Sequence, residues 1–327
     1  MSGPVSVGVI GVGSMGRHHA RVYNELPAAE FVGVADKDED VAAEVADRFE
    51  TRVFGREDLL ARCDAVSVAV PTAHHAPVAT RAIEEGVAPL VEKPFVADLA
   101  RGKQLAELAD QREVPLQVGH IERFNPAVTA LEAVRPEIDP IAVAARRQGP
   151  PVDRAGSDST VMDLMIHDID ILLTIASSPV SSVTAVSAPD GPHITAQLQF
   201  EEGLIATLTA SRITQEKIRD LAITAADCQV EVDYLDRDVR IHRQSVPEYL
   251  ADDGDLRYRH ESIIERPTID NGEPLKAELT SFLEAVAEGR TPEVTAEDGL
   301  RAVELATRIE AVAAAADGET EHGVAWA

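Results

Sequence analysis

Short apolar segments alternate with longer amphipathic segments over the first 120 residues of the chain. The apolar segments predict five strands, and the amphipathic segments predict the helices that connect them. Because the strands are apolar on both faces, we expect helices on both sides of a doubly wound parallel sheet, in an α/β domain. The predicted strands are Val5–Ile10, Phe31–Asp36, Ala65–Val70, Ala88–Glu92 and Leu116–Val118, and the predicted helices are Met15–Leu26, Asp38–Phe49, Ala73–Glu85 and Leu99–Gln111.

The pattern changes near residue 120. Seven later segments alternate apolar and polar residues, as half-buried strands do, and they predict a second, α+β domain with an open, mixed and largely antiparallel sheet. We therefore place one domain at residues 1–120 and another at 121–327. The predicted strands are Ile141–Arg147, Ser182–Ser187, His193–Phe200, Leu204–Arg212, Leu221–Thr224, Gln229–Tyr234 and Val239–Arg243. The predicted helices are Asn125–Val134, Thr160–Ala176, Pro274–Glu288 and Thr295–Ala316, with a loop over Asp252–Asn271.

The composition narrows the class of protein. The 327 residues include 30 Lys and Arg against 57 Asp and Glu, a net charge of −27 at pH 7, and only five of the basic residues are Lys. Without a basic stripe we expect no nucleic-acid partner, and without an apolar run of about 18 residues we expect no membrane span. The first residues have no basic leader before the apolar segment, so we expect a cytoplasmic protein.

The acidic side chains are spread along the whole chain, and this distribution favours a salt-rich, halophilic cytoplasm. At molar salt the Debye length falls to about 3 Å, so repulsion is screened while the acidic side chains keep the protein hydrated. An ordinary acidic protein is the alternative. The two cysteines, Cys63 and Cys228, are too few for a disulfide framework or a cysteine-based zinc site.

A glycine-rich motif follows the first predicted strand and opens the first predicted helix. Gly11-Val12-Gly13-Ser14-Met15-Gly16 matches G-x-G-x-x-G, whose glycines permit a tight turn and the close approach of a pyrophosphate. Asp36 ends the second predicted strand, where its carboxylate would accept a ribose 2′-hydroxyl and repel a 2′-phosphate. The motif predicts a Rossmann domain that prefers NAD over NADP, although Lys37 weakens that preference. A glycine-rich turn without a ligand is the alternative.

Two further strand ends carry candidate site residues, because ligands of doubly wound sheets bind at the carboxyl ends of the strands. After the third strand, Pro71 and Thr72 either contact the cofactor or start the next helix. His74 and His75 follow, and no metal site is predicted there because a third ligand is missing. After the fourth strand comes Glu92-Lys93-Pro94, where the Lys93 ammonium would stabilise negative charge on a substrate oxygen, unless it is a lysine of an ordinary surface turn.

The apolar helix predicted at Thr160–Ala176 carries charged residues at helical spacing. Asp163 and His167 are four residues apart and Asp170 follows three later, so all three share one face. An Asp one turn from a His stabilises the imidazolium, and His is suited to take an alcohol proton near neutral pH. A core histidine is the alternative, and no metal site is predicted because the apolar neighbours offer no further ligand.

Together these motifs resemble the glucose–fructose oxidoreductase/inositol dehydrogenase (Gfo/Idh/MocA) family over essentially the whole chain. The resemblance implies that Lys93, Asp163 and His167 form the catalytic set and that a cis bond precedes Pro94. It also implies NAD as cofactor, a sugar as substrate, and a homodimer or homotetramer joined through the second-domain sheet. The residues expected to bind the cofactor are Gly11, Gly13, Ser14, Met15, Gly16, Asp36, Lys37, Pro71, Thr72, His75, Glu92 and Lys93.

Three segments are similar to the branch of that family that contains UDP-N-acetylglucosamine 3-dehydrogenases, namely Gly119–Pro126, Arg146–Arg154 and Asp163–Asp170. The similarity implies oxidation of the 3-hydroxyl of a nucleotide sugar. Guanidinium groups suit its diphosphate, unless these arginines form ordinary salt bridges. The residues expected to bind substrate are Arg123, Asn125, Arg147, Arg154, Asp163 and His167.

Two other functions stay open at this point. One is a dehydrogenase of a free sugar or a cyclitol such as xylose or inositol. The other is a non-catalytic regulator that binds NAD(H) and keeps the fold without the activity. The presence of Lys93, Asp163 and His167 argues against the regulator, because loss of any one of them would be its simplest signature.

Overall fold

The computed structural model describes residues 3–151, 158–244, 248–252, 255–259 and 261–320. Its strands are β1 Val5–Ile10, β2 Ala29–Ala35, β3 Ala65–Val68, β4 Ala88–Glu92, β5 Gln117–Gly119, β6 Pro140–Gln148, β7 Val180–Ser187, β8 His193–Phe200, β9 Ile205–Ser211, β10 Ile218–Ala225, β11 Cys228–Asp233, β12 Asp238–Gln244, β13 Glu248–Asp252, β14 Asp255–Arg259 and β15 Ser262–Glu265. Its α-helices are α1 Ser14–Glu25, α2 Glu39–Arg48, α3 Arg56–Leu60, α4 His75–Glu84, α5 Leu99–Arg112, α6 Pro126–Val134, α7 Ile166–Ile175, α8 Pro274–Glu288 and α9 Ala296–Thr320. None of these described helices is long and apolar enough to cross a membrane.

The chain divides into two compact units. The first, here called the Rossmann unit, contains the described parts of residues 1–124 and 272–304, and the second unit contains those of 125–271 and 305–327. The prediction of one domain over residues 121–327 therefore differs from the structure, because the chain returns to the Rossmann unit after residue 271. The cause is α8, whose apolar residues Leu275, Leu279 and Phe282 join the core of that unit.

The Rossmann unit contains the predicted doubly wound sheet. Its five strands are all parallel and lie in the order β2-β1-β3-β4-β5, with β1 paired to both β2 and β3. The strand order reverses at β1 and β3, and ligands of such sheets bind at the carboxyl ends of the strands beside this point. Helices α1 and α8 cover one face of the sheet, where valines of β1 and Leu90 of β4 are fully buried. The sheet therefore presents the ends of β1, β3 and β4 together.

The second unit is built on an eight-stranded sheet, in the order β15-β12-β11-β10-β6-β9-β8-β7. The sheet is mixed, because β6 and β9 pair in parallel while the other neighbours are antiparallel. Helix α7 packs against β6 and β9 and buries Ile169 and Leu172. Both the predicted α/β class and the predicted mixed, largely antiparallel second sheet are confirmed.

The predicted elements differ from the structure at three places. The predicted loop Asp252–Asn271 contains β14 and β15, whose charged residues resemble a loop composition. The single helix predicted at Thr160–Ala176 is instead a π-helical turn, Val161–Met165, followed by α7. Helix α3 has only five residues, too few to show a helical period, and was not predicted.

Candidate active site

The glycine-rich loop between β1 and α1 has the shape that a dinucleotide pyrophosphate requires. Gly11 has a φ of 87°, and a Cβ there would lie 2.8 Å from the Ala69 carbonyl at the end of β3. A Cβ on Gly16 would lie 1.8 Å from the Gly11 oxygen, so only glycine lets α1 pack this closely. Gly13 has open space where its Cβ would be, and it precedes the exposed first residue of α1, Ser14. The first N–H groups of α1 are therefore accessible to an anion.

Asp36 lies just after β2 and is tied to this loop. Its Oδ2 accepts a hydrogen bond from the Val12 N–H at 2.7 Å, and its Oδ1 accepts one from the Asp38 N–H at 2.9 Å. Each carboxylate oxygen keeps a second lone pair, so the side chain still has an acceptor for a ribose hydroxyl. Lys37 is exposed beside it. The donors and acceptors of the loop and Asp36 thus fit NAD.

The segment after β3 lies at the strand-order reversal. Pro71 is exposed and Thr72 is half-buried, and Thr72–His74 form a short 3₁₀ turn that leads into α4. The two interpretations of these residues are therefore compatible, because they begin a helical turn at the strand end where ligands bind. Their contact with the cofactor stays a prediction.

His75, the first residue of α4, lies between two strand ends and is only 1% exposed. Its Nε2 lies 2.8 Å from the Val70 carbonyl oxygen, and its Nδ1 lies 2.9 Å from the Pro94 carbonyl oxygen. Both ring nitrogens are thus occupied by the protein. This geometry assigns His75 to joining the two strand ends instead of the predicted direct contact with a cofactor.

A buried network connects the end of β4 with α1. Glu92 Oε1 lies 2.8 Å from His19 Nε2, and His19 Nδ1 lies 2.8 Å from Ser67 Oγ, which also contacts the Tyr23 hydroxyl at 2.8 Å. The predicted cofactor residue Glu92 is therefore a partner of His19 inside the Rossmann unit, and this contact links the end of β4 to α1. Sequence reasoning missed His19, because it lies in a helix beside a second histidine and has no motif of its own.

The charge of Glu92 follows from its neighbours. Burial alone would raise the pKa of Glu92, but the hydrogen bond from His19 and the positive charges of His19, Lys93 and His75 together lower it below its usual value. Glu92 is thus an anion, and its Oε2 also lies 3.3 Å from the Lys93 N–H. Lys93 itself is half-buried, and the Lys93–Pro94 bond is cis, as the family resemblance implies.

In the second unit, Asp163 lies in the π-helical turn and His167 follows near the start of α7, where both side chains are half-buried. Arg212, just after β9, donates from Nη2 to Asp163 Oδ2 at 2.8 Å. The same nitrogen donates to the carbonyl oxygens of Asp158 and Ser159 at 2.8 and 3.2 Å. Arg212 therefore fixes Asp163 and the residues before the turn. It was missed because it is 49 residues from Asp163, beyond any local pattern.

The predicted substrate residues have different positions. Arg147 is 2% exposed, forms a bidentate pair with Asp168 at 2.9 and 3.0 Å and stacks on Tyr234. It therefore holds β6 to α7 and is not presented to a diphosphate, so its predicted role was wrong. Arg123 pairs with Asp298 at 3.6 Å. Arg154 lies outside the described residues.

Asn125, also predicted to bind substrate, is buried at the start of α6. Its Oδ1 accepts from the Ala127 N–H at 3.1 Å, and its Nδ2 donates to the Tyr234 carbonyl at 3.3 Å. Both ends of the amide are used by the protein, so Asn125 acts as a helix cap and the predicted substrate contact was wrong.

Asp170, the third member of the predicted helix face, is 1% exposed. Across the residues that the structure describes, no group of three His, Cys, Asp or Glu side chains is placed to hold a metal ion.

Comparison with known proteins matches both units. The profile of the GFO/IDH/MocA oxidoreductase family with an NAD-binding Rossmann fold covers residues 5–120, and that of the GFO/IDH/MocA C-terminal domain covers residues 139–232. UDP-N-acetylglucosamine 3-dehydrogenase from Acidithiobacillus ferrooxidans is 34% identical over 288 residues, which are 86% of this chain and 89% of that protein. A solved structure of that enzyme has a TM-score of 0.84 at 32% identity, covering 94% of this chain and 97% of its own.

A second kind of relative is an inositol 2-dehydrogenase from Rhizobium meliloti, which is 26% identical over 92% of this chain and 94% of its own. The relatives thus share dehydrogenase chemistry on sugars and cyclitols. The glycine loop, Asp36 and the strand ends fit the NAD that the family binds. The chain therefore belongs to the Gfo/Idh/MocA family and is an NAD-binding oxidoreductase that acts on CH–OH groups.

Proposed function

We propose that the protein oxidises the 3-hydroxyl of UDP-N-acetylglucosamine or of a related nucleotide sugar. The observation that carries this proposal is the 34% identity to a UDP-N-acetylglucosamine 3-dehydrogenase, which extends over 86% of the chain and includes both units. The residues that the chemistry needs, Lys93, Asp163 and His167, support it.

Each of these residues has a separate task in the proposed reaction. When bound in the glycine-rich loop, NAD would supply the acceptor for the hydride that leaves carbon 3. His167 removes the proton of the sugar hydroxyl, because a neutral imidazole is the side chain suited to this near pH 7. The Lys93 ammonium stabilises the negative charge that develops on the same oxygen, and its backbone N–H is held by Glu92 Oε2 at 3.3 Å.

Asp163 orients His167 and stabilises its charged form after proton transfer. The hydrogen bond from Arg212 at 2.8 Å supports this task, because it restricts the Asp163 carboxylate to one position. A positioned carboxylate contributes more than a mobile one, since the cost of ordering it is already met by the fold. Arg147 is no longer a candidate for binding the diphosphate, because it is buried in a pair with Asp168. We retain Arg123 and Arg154 for that role.

The test follows NADH formation by absorbance with a panel of nucleotide sugars, free sugars and cyclitols in buffered KCl. We expect the highest kcat/KM with UDP-N-acetylglucosamine and no turnover of its 3-deoxy analogue. Deuterium placed at carbon 3 of the substrate should appear in NADH and slow a rate-limiting transfer, whereas deuterium at carbon 4 should do neither. A higher kcat/KM with N-acetylglucosamine or glucose than with any nucleotide sugar would reject the proposal.

A cyclitol substrate is the second candidate, and the inositol 2-dehydrogenase that matches 92% of this chain favours it. The same panel separates the two candidates. Highest kcat/KM with myo- or scyllo-inositol, together with no effect of adding free UDP as an inhibitor, would establish the cyclitol activity.

We also propose a cytoplasmic homodimer or homotetramer formed through the outer face of the second-unit sheet. Ala144, Thr207 and Gln197 are register neighbours on that face, and Ile205 is about half exposed beside them, so this part of the face is uncharged, while the Arg146–Asp220 ion pair lies on the same face two residues further along β6. Ala144→Glu should shift the mass measured by light scattering towards the monomer. Ala314→Glu on the exposed side of α9 is the control, and equal masses for both variants would reject this interface.

A further inference from the structure

The imidazole of His75 makes two hydrogen bonds that a neutral ring is unable to make together. Its Nε2 faces the Val70 carbonyl oxygen at 2.8 Å and its Nδ1 faces the Pro94 carbonyl oxygen at 2.9 Å. Backbone carbonyl oxygens only accept hydrogen bonds, and neutral imidazole carries one N–H. In a neutral ring the second nitrogen would therefore direct its lone pair at an oxygen lone pair. Both short distances are attractive only when both nitrogens carry a proton.

A buried imidazolium requires a negative charge in its surroundings, and Glu92 is an anion whose charge interacts with that of His75. The His75 ring is 1% exposed, so water contributes little to its solvation. Glu92 is 7% exposed and is held as an anion, because the positive charges around it, that of His75 included, lower its pKa despite burial.

The two carbonyls that His75 joins belong to the two strand ends of the candidate site. The Val70 carbonyl directly precedes Pro71 and Thr72 at the end of β3, while the Pro94 carbonyl directly follows Lys93 at the end of β4. The two segments are separate in the sequence, so the His75 ring is a link between them. Loss of the bridge frees the Lys93–Pro94 segment on the side of β3 but leaves its contact with Glu92.

We propose that His75 is a positioning residue, a doubly protonated bridge that sets the distance between the cofactor segment at Thr72 and the lysine at position 93. The assignment of Lys93 to catalysis rests on the proposed function. The bridge itself rests only on the contacts of His75. A misplacement of about 1 Å in a reacting group costs up to about 100-fold in rate, so a bridge of this kind has a measurable effect on turnover.

The first measurement is the protonation of the His75 ring in the full-length wild-type protein. Two-bond ¹⁵N–¹H spectra at pH 7.5 distinguish protonated from unprotonated ring nitrogens, and the His75 signals are assigned by correlation to its backbone. We expect both His75 nitrogens to be protonated. An unprotonated Nδ1 or Nε2 would overturn the proposal, and this result needs neither a variant nor a sugar substrate.

The second measurement tests separately the two hydrogen bonds of the His75 ring, which are here called the two arms of the bridge. An asparagine amide nitrogen lies near the position of Nδ1 and a glutamine amide nitrogen near that of Nε2, so His75→Asn keeps one arm and His75→Gln keeps the other. We expect each to lower kcat by about 10- to 100-fold, with the sugar KM changed by less than about twofold, because no substrate contact is removed. His74 is exposed beside His75, and His74→Asn and His74→Gln are the matched controls.

The outcomes distinguish this proposal from the proposed function. A kcat within about twofold of the His74 controls for either His75 variant would show that one arm is dispensable and would overturn the bridge. If the wild type oxidises no sugar of the panel, the proposed function fails, while the ring nitrogens and the NADH affinity of the same variants still decide the bridge. In that case, a dissociation constant of NADH that is higher in the His75 variants than in the His74 controls supports the bridge, and equal constants overturn it.

Discussion

At the residue scale, His167 is half-buried near the start of α7, in contrast to the completely enclosed rings of His19 and His75. A base that takes a proton from a substrate needs this access. We expect His167→Ala and Lys93→Ala each to lower kcat by about 10²- to 10⁴-fold, because one positioned acid or base contributes that much. In His167→Ala, NADH binding measured by fluorescence should stay near the wild-type value, because the variant changes no residue expected to bind the cofactor.

His193→Ala, at the start of β8, is the control for removing a half-buried histidine from the same unit. A purely structural His167 predicts a different result, namely a lower melting temperature with normal turnover per folded molecule. Near wild-type kcat in His167→Ala would end the proposed mechanism for any substrate.

We expect Asp36 to determine the choice between NAD and NADP, and its contacts show how to test this without damaging the loop. Its Oδ2 accepts from the Val12 N–H, so Asp36→Ala would also remove a loop contact. Asp36→Asn keeps an acceptor but removes the negative charge that repels a 2′-phosphate. We expect the ratio of kcat/KM for NAD to that for NADP to exceed one in the wild type and to fall about tenfold or more in Asp36→Asn.

Exposed Asp40 in α2 offers a control, since Asp40→Asn removes the same charge from the same region without the loop contact. A wild-type preference for NADP, or an equal fall of the ratio in Asp40→Asn, would contradict the role of Asp36.

At the element scale, Arg212 joins the end of β9 to the segment that begins the π-helical turn. One guanidinium nitrogen contacts Asp163 and two carbonyl oxygens, so its loss frees the orienting carboxylate and the chain before it. We expect Arg212→Leu to lower kcat by about 10-fold or more, and Arg212→Lys to restore only part of it, because an ammonium lacks the planar fork. Arg290→Leu, which removes exposed ion pairs after α8, should leave kcat unchanged.

Helix α8 inserts an acidic residue, Glu278, into the core of the Rossmann unit. Burial first, and the negative charge of Glu92 second, raise the pKa of Glu278 well above its usual value. The folded protein therefore keeps a proton that the unfolded chain loses above about pH 4.5. The free energy of unfolding should therefore fall as pH rises from the pKa of Glu278 in the unfolded chain towards its higher pKa in the folded protein. The slope over this range is about 1.4 kcal/mol per pH unit.

Glu278→Gln has no such proton to retain, so the free energy of unfolding of the variant minus that of the wild type should increase from pH 5 to pH 8 in urea titrations. Glu284→Gln, on the exposed side of the same helix, should show a difference that does not change with pH. Parallel pH dependence in Glu278→Gln and the wild type would refute the assignment.

The elements themselves show what the sequence predicts and where it stops. The strands β1, β4 and β8 and the helix α8 have the predicted bounds, because their periodic patterns extend from one turn signal to the next. The sequence alone does not show that α8 returns to the Rossmann unit, since an apolar helix face does not specify which sheet it covers. The role of Arg147 depended on a contact 21 residues away, and the second contact of the Asn125 amide is 109 residues away, which no local spacing reveals.

At the scale of the whole molecule, the excess of acidic groups dominates the electrostatics. Exposed ion pairs such as Arg17–Glu44 and Arg81–Glu57 contribute little to stability, and added salt weakens them. Like-charge repulsion among 57 acidic residues facing 30 basic ones acts in the opposite direction, since added salt relieves it. The net charge of −27 leads us to expect that the second effect is larger.

The melting temperature should therefore rise strongly between about 0.1 and 2 M KCl, where the screening length falls from about 10 Å to below 3 Å. A variant in which the exposed Glu30, Glu107, Glu201 and Glu304 become Gln should melt higher at low salt and show a smaller rise. Sucrose at matched osmolality separates charge screening from general exclusion of solutes, because it leaves the repulsion unscreened. A melting temperature independent of KCl, or one that sucrose raises equally, would refute the salt-adapted interpretation and leave the enzymatic assignment intact.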